Sequence, residues 1–330
     1  MKRLLAFLTI LSLILLSSCE LAFEKQNPAP KVGTVRILVY GNDYGHNKNL
    51  PDSKVAKKLN YTINDAAQTG LALSELAKKA NLNYQATYLL GDNSYYANYV
   101  SSKDPSATVI NKVTQDELEK QLNLLKVNST DDDLVFIFYA GHGFGVEGQT
   151  IEYGSDVTNK SYMILTSDSD SNAAVYYPIK TFMEMVELIA GTKMVIGDFC
   201  FSGALLTPAG GVSITSYEYR ILSAKNLYYN YKDKITEKSS IFCLSACRYN
   251  ERSYETGSFY HGLFTKALLE GLGWNEDECC LNSTIPALKN GCIKLSAITE
   301  YVIENDGNDV QTQTPMTNGG SNDLILFDFN

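Results

Sequence analysis

Two runs of this chain, Leu134-Val135-Phe136-Ile137-Phe138-Tyr139-Ala140 and Met194-Val195-Ile196-Gly197-Asp198-Phe199, are apolar at nearly every position instead of at every second one. A strand with one face in water alternates apolar and polar residues, so a run without alternation belongs to a strand buried on both faces. Residues 35–40, 86–90 and 240–246 have the same character. Between them, residues 64–80, 115–127 and 179–190 place apolar side chains three and four apart, and residues 259–272 and 295–305 repeat that spacing near the end, as amphipathic helices do. Buried strands alternating with helices predict an α/β domain: a mostly parallel central sheet covered by helices on both faces. The tyrosines clustered at 84–99 and 217–231 read as extended, amphipathic surface segments. At 330 residues, with 45% hydrophobic and 20% charged residues, the chain is long and apolar enough for one large domain.

In parallel sheets, ligands bind beyond the carboxyl ends of the strands. The first run ends at Gly141-His142-Gly143 and the second at Cys200-Phe201-Ser202-Gly203, so a histidine and a cysteine occupy matching places. A free thiol has a pKa of about 8.5 and needs a base to become a nucleophile near neutral pH. Histidine suits that task and can return the proton to a leaving amine. Taken singly, a buried cysteine is a small hydrophobe and a histidine in a glycine turn is there for its hydrogen bonds. The pair at two strand ends favours His142 as base and Cys200 as nucleophile. Gly141 and Gly143 let a substrate backbone approach, and the N–H groups of Gly143 and Cys200 can face a developing oxyanion.

The first twenty residues have a separate logic. Lys2 and Arg3 precede an apolar stretch over residues 4–16, which ends at Leu16-Ser17-Ser18-Cys19. The stretch falls short of the roughly 20 residues a membrane span needs. It reads as a lipoprotein signal over residues 1–18, with Cys19 lipidated and residues 19–33 a polar, proline-bearing tether to a domain over 34–330. A plain secretory signal is the alternative, and either one implies export, here to a bacterial membrane. A net charge of -9 without a basic stretch argues against a nucleic-acid partner. Export permits one or two disulfides among Cys243, Cys247, Cys279, Cys280 and Cys292. Zinc is disfavoured, because no C-x-x-C pair occurs and His261 is the only histidine near these cysteines.

Together these blocks resemble the caspase and metacaspase superfamily of cysteine peptidases, most closely its metacaspase-like bacterial branch, from about residue 35 onward. The resemblance rests on Tyr139-Ala140-Gly141-His142-Gly143 and on Asp198-x-Cys200-x-Ser202-Gly203. Asn64-Asp65-Ala66, Leu244-Ser245-Ala246-Cys247, the segment 262–269 and Gln313-Thr314-Pro315 support it. It implies a caspase-hemoglobinase-like three-layer sandwich with a central sheet of about six strands. It also implies a Cys-His dyad endopeptidase acting through an acyl-thioester. Asp65 and Asp198 would select arginine or lysine at P1, the substrate residue whose carbonyl is attacked, and Ser245 would contact substrate. An anionic pocket suits that choice, since paired carboxylates favour a guanidinium or ammonium and penalise an acid; a charge at a helix N-terminus is the alternative, compatible role for Asp65. No cofactor is required. Asp168 and Asp170 are weak calcium candidates, more simply a solvated loop, and calcium is not predicted. Residues 210–239 would form a processing or substrate-covering loop. The partners implied are polypeptides with basic P1 and the bilayer at the anchor. A catalytically inactive caspase-fold lipoprotein serving as a binding or scaffold module is the alternative.

Overall fold

Alternate residues of each buried run separate onto two cores, one on each face of a single sheet. A computed structural model describes residues 33–45, 58–91, 93–145, 160–168, 173–206, 241–257, 260–306, 313–318 and 324–330. The signal over 1–18, Cys19 and its tether, the loop 210–239 with its tyrosines, and Asp170 lie outside the described residues. The main strands are β1 (Thr34–Gly41), β2 (Asn83–Leu90), β3 (Thr108–Ile110), β4 (Leu134–Ala140), β5 (Thr192–Asp198), β6 (Ile241–Ser245) and β7 (Met316–Thr317). They form a seven-stranded sheet in the order β7-β6-β5-β4-β1-β2-β3. Strands β1 to β6 pair in parallel, and β7 joins β6 antiparallel at the edge.

The helices are α1 (Thr62–Lys79), α2 (Ser94–Lys103), α3 (Gln115–Asn128), α4 (Ile179–Glu187), α5 (Leu263–Gly271) and α6 (Leu295–Asn305). On β4, Leu134, Phe136, Phe138 and Ala140 join the core under α1, α5 and α6, whereas Val135, Ile137 and Tyr139 join the core under α3 and α4. Burying each such large side chain contributes about 1.5–3 kcal/mol, so neither face of β4 tolerates a polar residue. This is the three-layer α/β arrangement expected, with the edge strand β7 added.

The tyrosine-rich segment is extended, as expected, where Tyr84 and Tyr88 lie on β2, and departs from that form beyond it. Tyr95, Tyr96 and Tyr99 lie on α2, where the Asn93 side chain accepts a hydrogen bond from the Tyr95 N–H at 3.1 Å as an N-cap. Ala97 and Val100, three apart, give that helix its buried stripe. The cysteines also differ from expectation, since Cys200, Cys243, Cys247, Cys279, Cys280 and Cys292 are all free thiols. Cys243 and Cys247 are enclosed separately, with Sγ atoms 3.4 Å from the Leu205 and Phe199 carbonyl oxygens, while Cys279 meets the Tyr99 hydroxyl at 2.6 Å.

At the end of the sheet away from the strand carboxyl termini, Asp133 gathers donors from β1 and from the turn that precedes β4. Arg36 Nε lies 2.6 Å from its Oδ2, and the N–H groups of Thr34 and Thr130 and the Thr130 hydroxyl also donate to it. Burial alone would raise its pKa, but Arg36 and these donors outweigh it and hold the carboxyl below the usual range. Asp133→Ala is therefore expected to lower unfolding stability by about 3 kcal/mol in urea melts. The contribution should be present above about pH 4 and fade as pH falls through the depressed pKa, because the stabilising form is the charged one.

Candidate active site

Register decides what the strand ends bring together. Ala140 on β4 pairs with Asp198 on β5, and the Gly141 N–H donates to the Asp198 carbonyl at 3.3 Å. His142 and Cys200 each follow two residues beyond this pair, so two adjacent parallel strands present them side by side. The two turns are in contact: a β-carbon at Gly143 would overlap the Cys200 carbonyl oxygen, which is why glycine stands there. After Cys200 the backbone turns sharply at Phe201, whose φ of 65° is left-handed and strained for a bulky residue. The Phe201 N–H is held by the Glu251 carbonyl at 2.8 Å. Cys200 Sγ lies 3.8 Å from the Ser253 carbonyl oxygen. Burial pushes the Cys200 thiol above its ordinary pKa, with Ser253 and Arg252 partly offsetting that rise. The resting sulfur is thus protonated near neutral pH.

His142 is positioned through its backbone by a residue the sequence did not single out. The Tyr44 hydroxyl accepts from the His142 N–H at 2.8 Å and donates to the Ile164 carbonyl at 2.6 Å, bridging the two segments. Tyr139 donates to the carbonyls of His142 at 3.0 Å and Ile164 at 2.8 Å. The Tyr44 ring packs on the imidazole with centroids 4.7 Å apart. Tyr44 holds this place in a left-handed conformation, φ 59°. Tyr44→Phe leaves the packing and removes the bridge, so it is expected to cost about 1–3 kcal/mol of stability, read in thermal melts.

The carboxylate pair also converges. Asp65, on the first turn of α1, accepts the Gly262 N–H at 3.2 Å, and a β-carbon at Gly262 would overlap Asp198 Oδ2. Gly262 thus lies between the two acids. Asp198 Oδ2 takes the Thr265 N–H at 3.2 Å and its hydroxyl at 2.5 Å, which caps α5 in place of a side chain at Gly262. Burial, with Asp65 adding its charge, raises Asp198 to about 7. Burial raises Asp65 to about 6, against the opposing effect of His261. Glu255 adds a third acid nearby, its carboxylate accepting the N–H groups of Asn60 and Tyr61.

These strand-end features meet a match over most of the chain: the family model for the caspase domain covers residues 36–302. The chain belongs to the caspase family. No curated protein matches it. Among solved structures it is similar to a crystal structure of a protein from Geobacter sulfurreducens, with 15% identity and a TM-score of 0.46 over 87% of this chain and 92% of that one.

Other residues singled out from the caspase-family motifs sit differently. Ser245, at the end of β6, is fully buried, and its hydroxyl donates to the Cys247 and Met316 carbonyls at 3.2 and 3.4 Å. It braces the strand end and turns no hydroxyl outward. Asp168 is spent on structure as well. Its Oδ2 accepts the Asp116 N–H at 2.8 Å at the start of α3, and Lys112 pairs with Oδ1 at 3.2 Å. Among the described residues no group of three or more histidine, cysteine, aspartate or glutamate side chains is placed to hold a metal ion.

Tyr44, Thr265, His261 and Glu276 escaped the sequence reading as site residues because each acts through a contact made by a distant segment. Tyr139 stands three residues before His142, a spacing from which its hydroxyl reaches the His142 carbonyl.

Proposed function

We propose that this caspase-family protein is a cysteine endopeptidase that cleaves after arginine or lysine. The observation that carries the reading is the register of β4 and β5, which sets His142 and Cys200 at equal distances beyond a paired Ala140 and Asp198. In this account His142 takes the proton from Cys200 Sγ as substrate binds, because the buried thiol does not ionise unaided near neutral pH. The thiolate adds to the scissile carbonyl, and the N–H groups of Gly143 and Cys200 receive the oxyanion. As the C–N bond breaks, His142 returns the proton to the leaving amine. Water, deprotonated by the same imidazole, then hydrolyses the thioester and restores the thiol. No cofactor enters these steps, and calcium is not required.

Substrate choice falls to Asp65 and Asp198. Two buried carboxylates around one glycine suit a P1 guanidinium or ammonium and reject an acidic side chain. The protein acts outside the cytoplasm, tethered to a bacterial membrane through lipid on Cys19. The loop 210–239 is its own candidate substrate, cut after a basic residue. A peptidyl-arginyl acyloxymethyl ketone tests the reading, since the expected product is one thioether on Cys200, seen by peptide mass spectrometry. Labelling of other cysteines only, or equal labelling by the aspartyl reagent, would count against it.

A further inference from the structure

Behind the carboxylate pair lies a buried imidazole with an acid at each nitrogen. His261 Nδ1 is 2.7 Å from Asp65 Oδ1, and Nε2 is 2.8 Å from Glu276 Oε2. Glu276 is itself fixed, because its Oε1 accepts from Asn64 Nδ2 at 2.9 Å and Gln68 Nε2 at 3.0 Å. Gln68 in turn accepts the Trp274 indole N–H at 2.9 Å. Asn64, Asp65 and Gln68 all come from α1, Glu276 from the hairpin after α5, and His261 from the segment just before α5. An imidazole whose two nitrogens both face carboxylates donates from both, and is therefore a cation.

We propose that His261 is a positioning residue of the specificity pocket: as an imidazolium braced by Glu276, it keeps Asp65 ionised and fixed in orientation beside Asp198, so that selection of a basic P1 side chain depends on a group that touches neither substrate nor dyad. The proposal rests on the reading of Asp65 and Asp198 as the P1 pocket. Its physical basis is the cost of two like charges in one dry site. Without a counter-charge, two adjacent buried carboxylates share a proton, and one of them is lost as an anion. His261 supplies that charge through Asp65 Oδ1, while the Gly262 N–H, between the two acids, is shared by both Asp65 oxygens at 3.3 and 3.2 Å.

The titratable groups around the imidazole are Asp65 from α1, Asp198 from β5, Glu255 from the strand paired with His261-Gly262, Glu276 from the hairpin, and Tyr96 and Tyr99 from α2. Burial keeps both phenols neutral. Burial would lower His261, but its hydrogen bonds to Asp65 and Glu276 outweigh it and raise the imidazole to about 9. Glu276 would be raised by burial, yet is held low by His261. From about pH 6 to about pH 9, then, Asp65 and His261 face each other as ions.

The test uses the full chain and the variants His261→Gln and Glu276→Gln. Three readouts are taken across about pH 5 to 9: kcat/KM for an arginyl amide, kcat/KM for a glutaminyl amide, and the rate of Cys200 alkylation by iodoacetamide, which needs no P1 pocket. His261→Gln keeps a donor toward Asp65 but no charge. It is expected to lower kcat/KM for the arginyl amide by about 10- to 100-fold, mainly through KM, and to move its acid limb up by about 1 in pH. Glutaminyl turnover and alkylation should stay within about threefold. Glu276→Gln should shift the same limb in the same direction by less, which keeps the test decisive if the histidine variant fails to fold. An unchanged arginine preference and acid limb in either folded variant would overturn the proposal. A wild-type protein that alkylates at Cys200 but shows no arginine preference would overturn the pocket reading, and this proposal with it.

Discussion

Cys200→Ala is expected to lower kcat/KM for an arginyl amide by about 10⁴-fold or more, with a melting temperature close to that of the wild type. The sulfur lies 3.8 Å from the Ser253 carbonyl, a long and weak contact whose loss should cost little stability. Cys247, the nearest along the following strand, is fully buried, with Sγ against Ser202 Oγ, the Phe199 carbonyl and the Glu251 carbonyl, and burial raises its pKa far above the ordinary value. His142→Ala should cost nearly as much, and the double variant little more, because two groups that move one proton fail together. Separate additive losses, measured in the same assay, would mean that the residues do not act as a unit.

Asp198→Asn is expected to reduce kcat/KM for arginyl substrates by about 10²- to 10³-fold while changing glutaminyl substrates far less. An asparagine can still accept from Thr265 through its carbonyl oxygen, so the cap on α5 survives and the charge alone is lost. The pH dependence has a defined sign. Both carboxylates are raised, Asp198 to about 7 and Asp65 to about 6, and in the proposed pocket it is the charged forms that would bind a basic side chain. Wild-type kcat/KM should therefore be high above about pH 7 and fall as pH drops through those values, and Asp198→Asn should lose the upper of the two steps. The same group works against stability. A carboxyl raised from 3.8 to about 7 on folding takes away stability as pH rises through that window. The variant should accordingly melt higher than the wild type at about pH 8 and level with it below about pH 4. That is a trade of stability for an anionic pocket.

Much of this was legible in the sequence because the strongest signals were local. The unbroken apolar runs of β4 and β5 announced strands buried on both faces, and the strand-end rule then put His142 and Cys200 near one another before any register was known. Asp65 and Asp198 were found through motifs, and they do converge at Gly262. What the sequence concealed were contacts between segments far apart in the chain. Tyr44 meets His142 and Ile164, and His261 meets Asp65 and Glu276, through packing that no local pattern encodes. Helix α2 was missed because tyrosine favours strands in isolation, while the Asn93 cap and the buried stripe of Ala97 and Val100 override that preference. Disulfides were expected from export and cysteine count alone, and neither fixes where a side chain points.

The most direct test of the account is a set of initial rates for the folded, reduced protein on four peptidyl fluorogenic amides that differ only at P1: arginine, lysine, asparagine and aspartate. The account predicts turnover of the arginyl and lysyl amides far above that of the other two, and loss of all turnover in Cys200→Ala. Turnover of none of the four would contradict the peptidase reading and favour an inactive binding module, and turnover confined to the aspartyl amide would contradict the pocket built on Asp65 and Asp198.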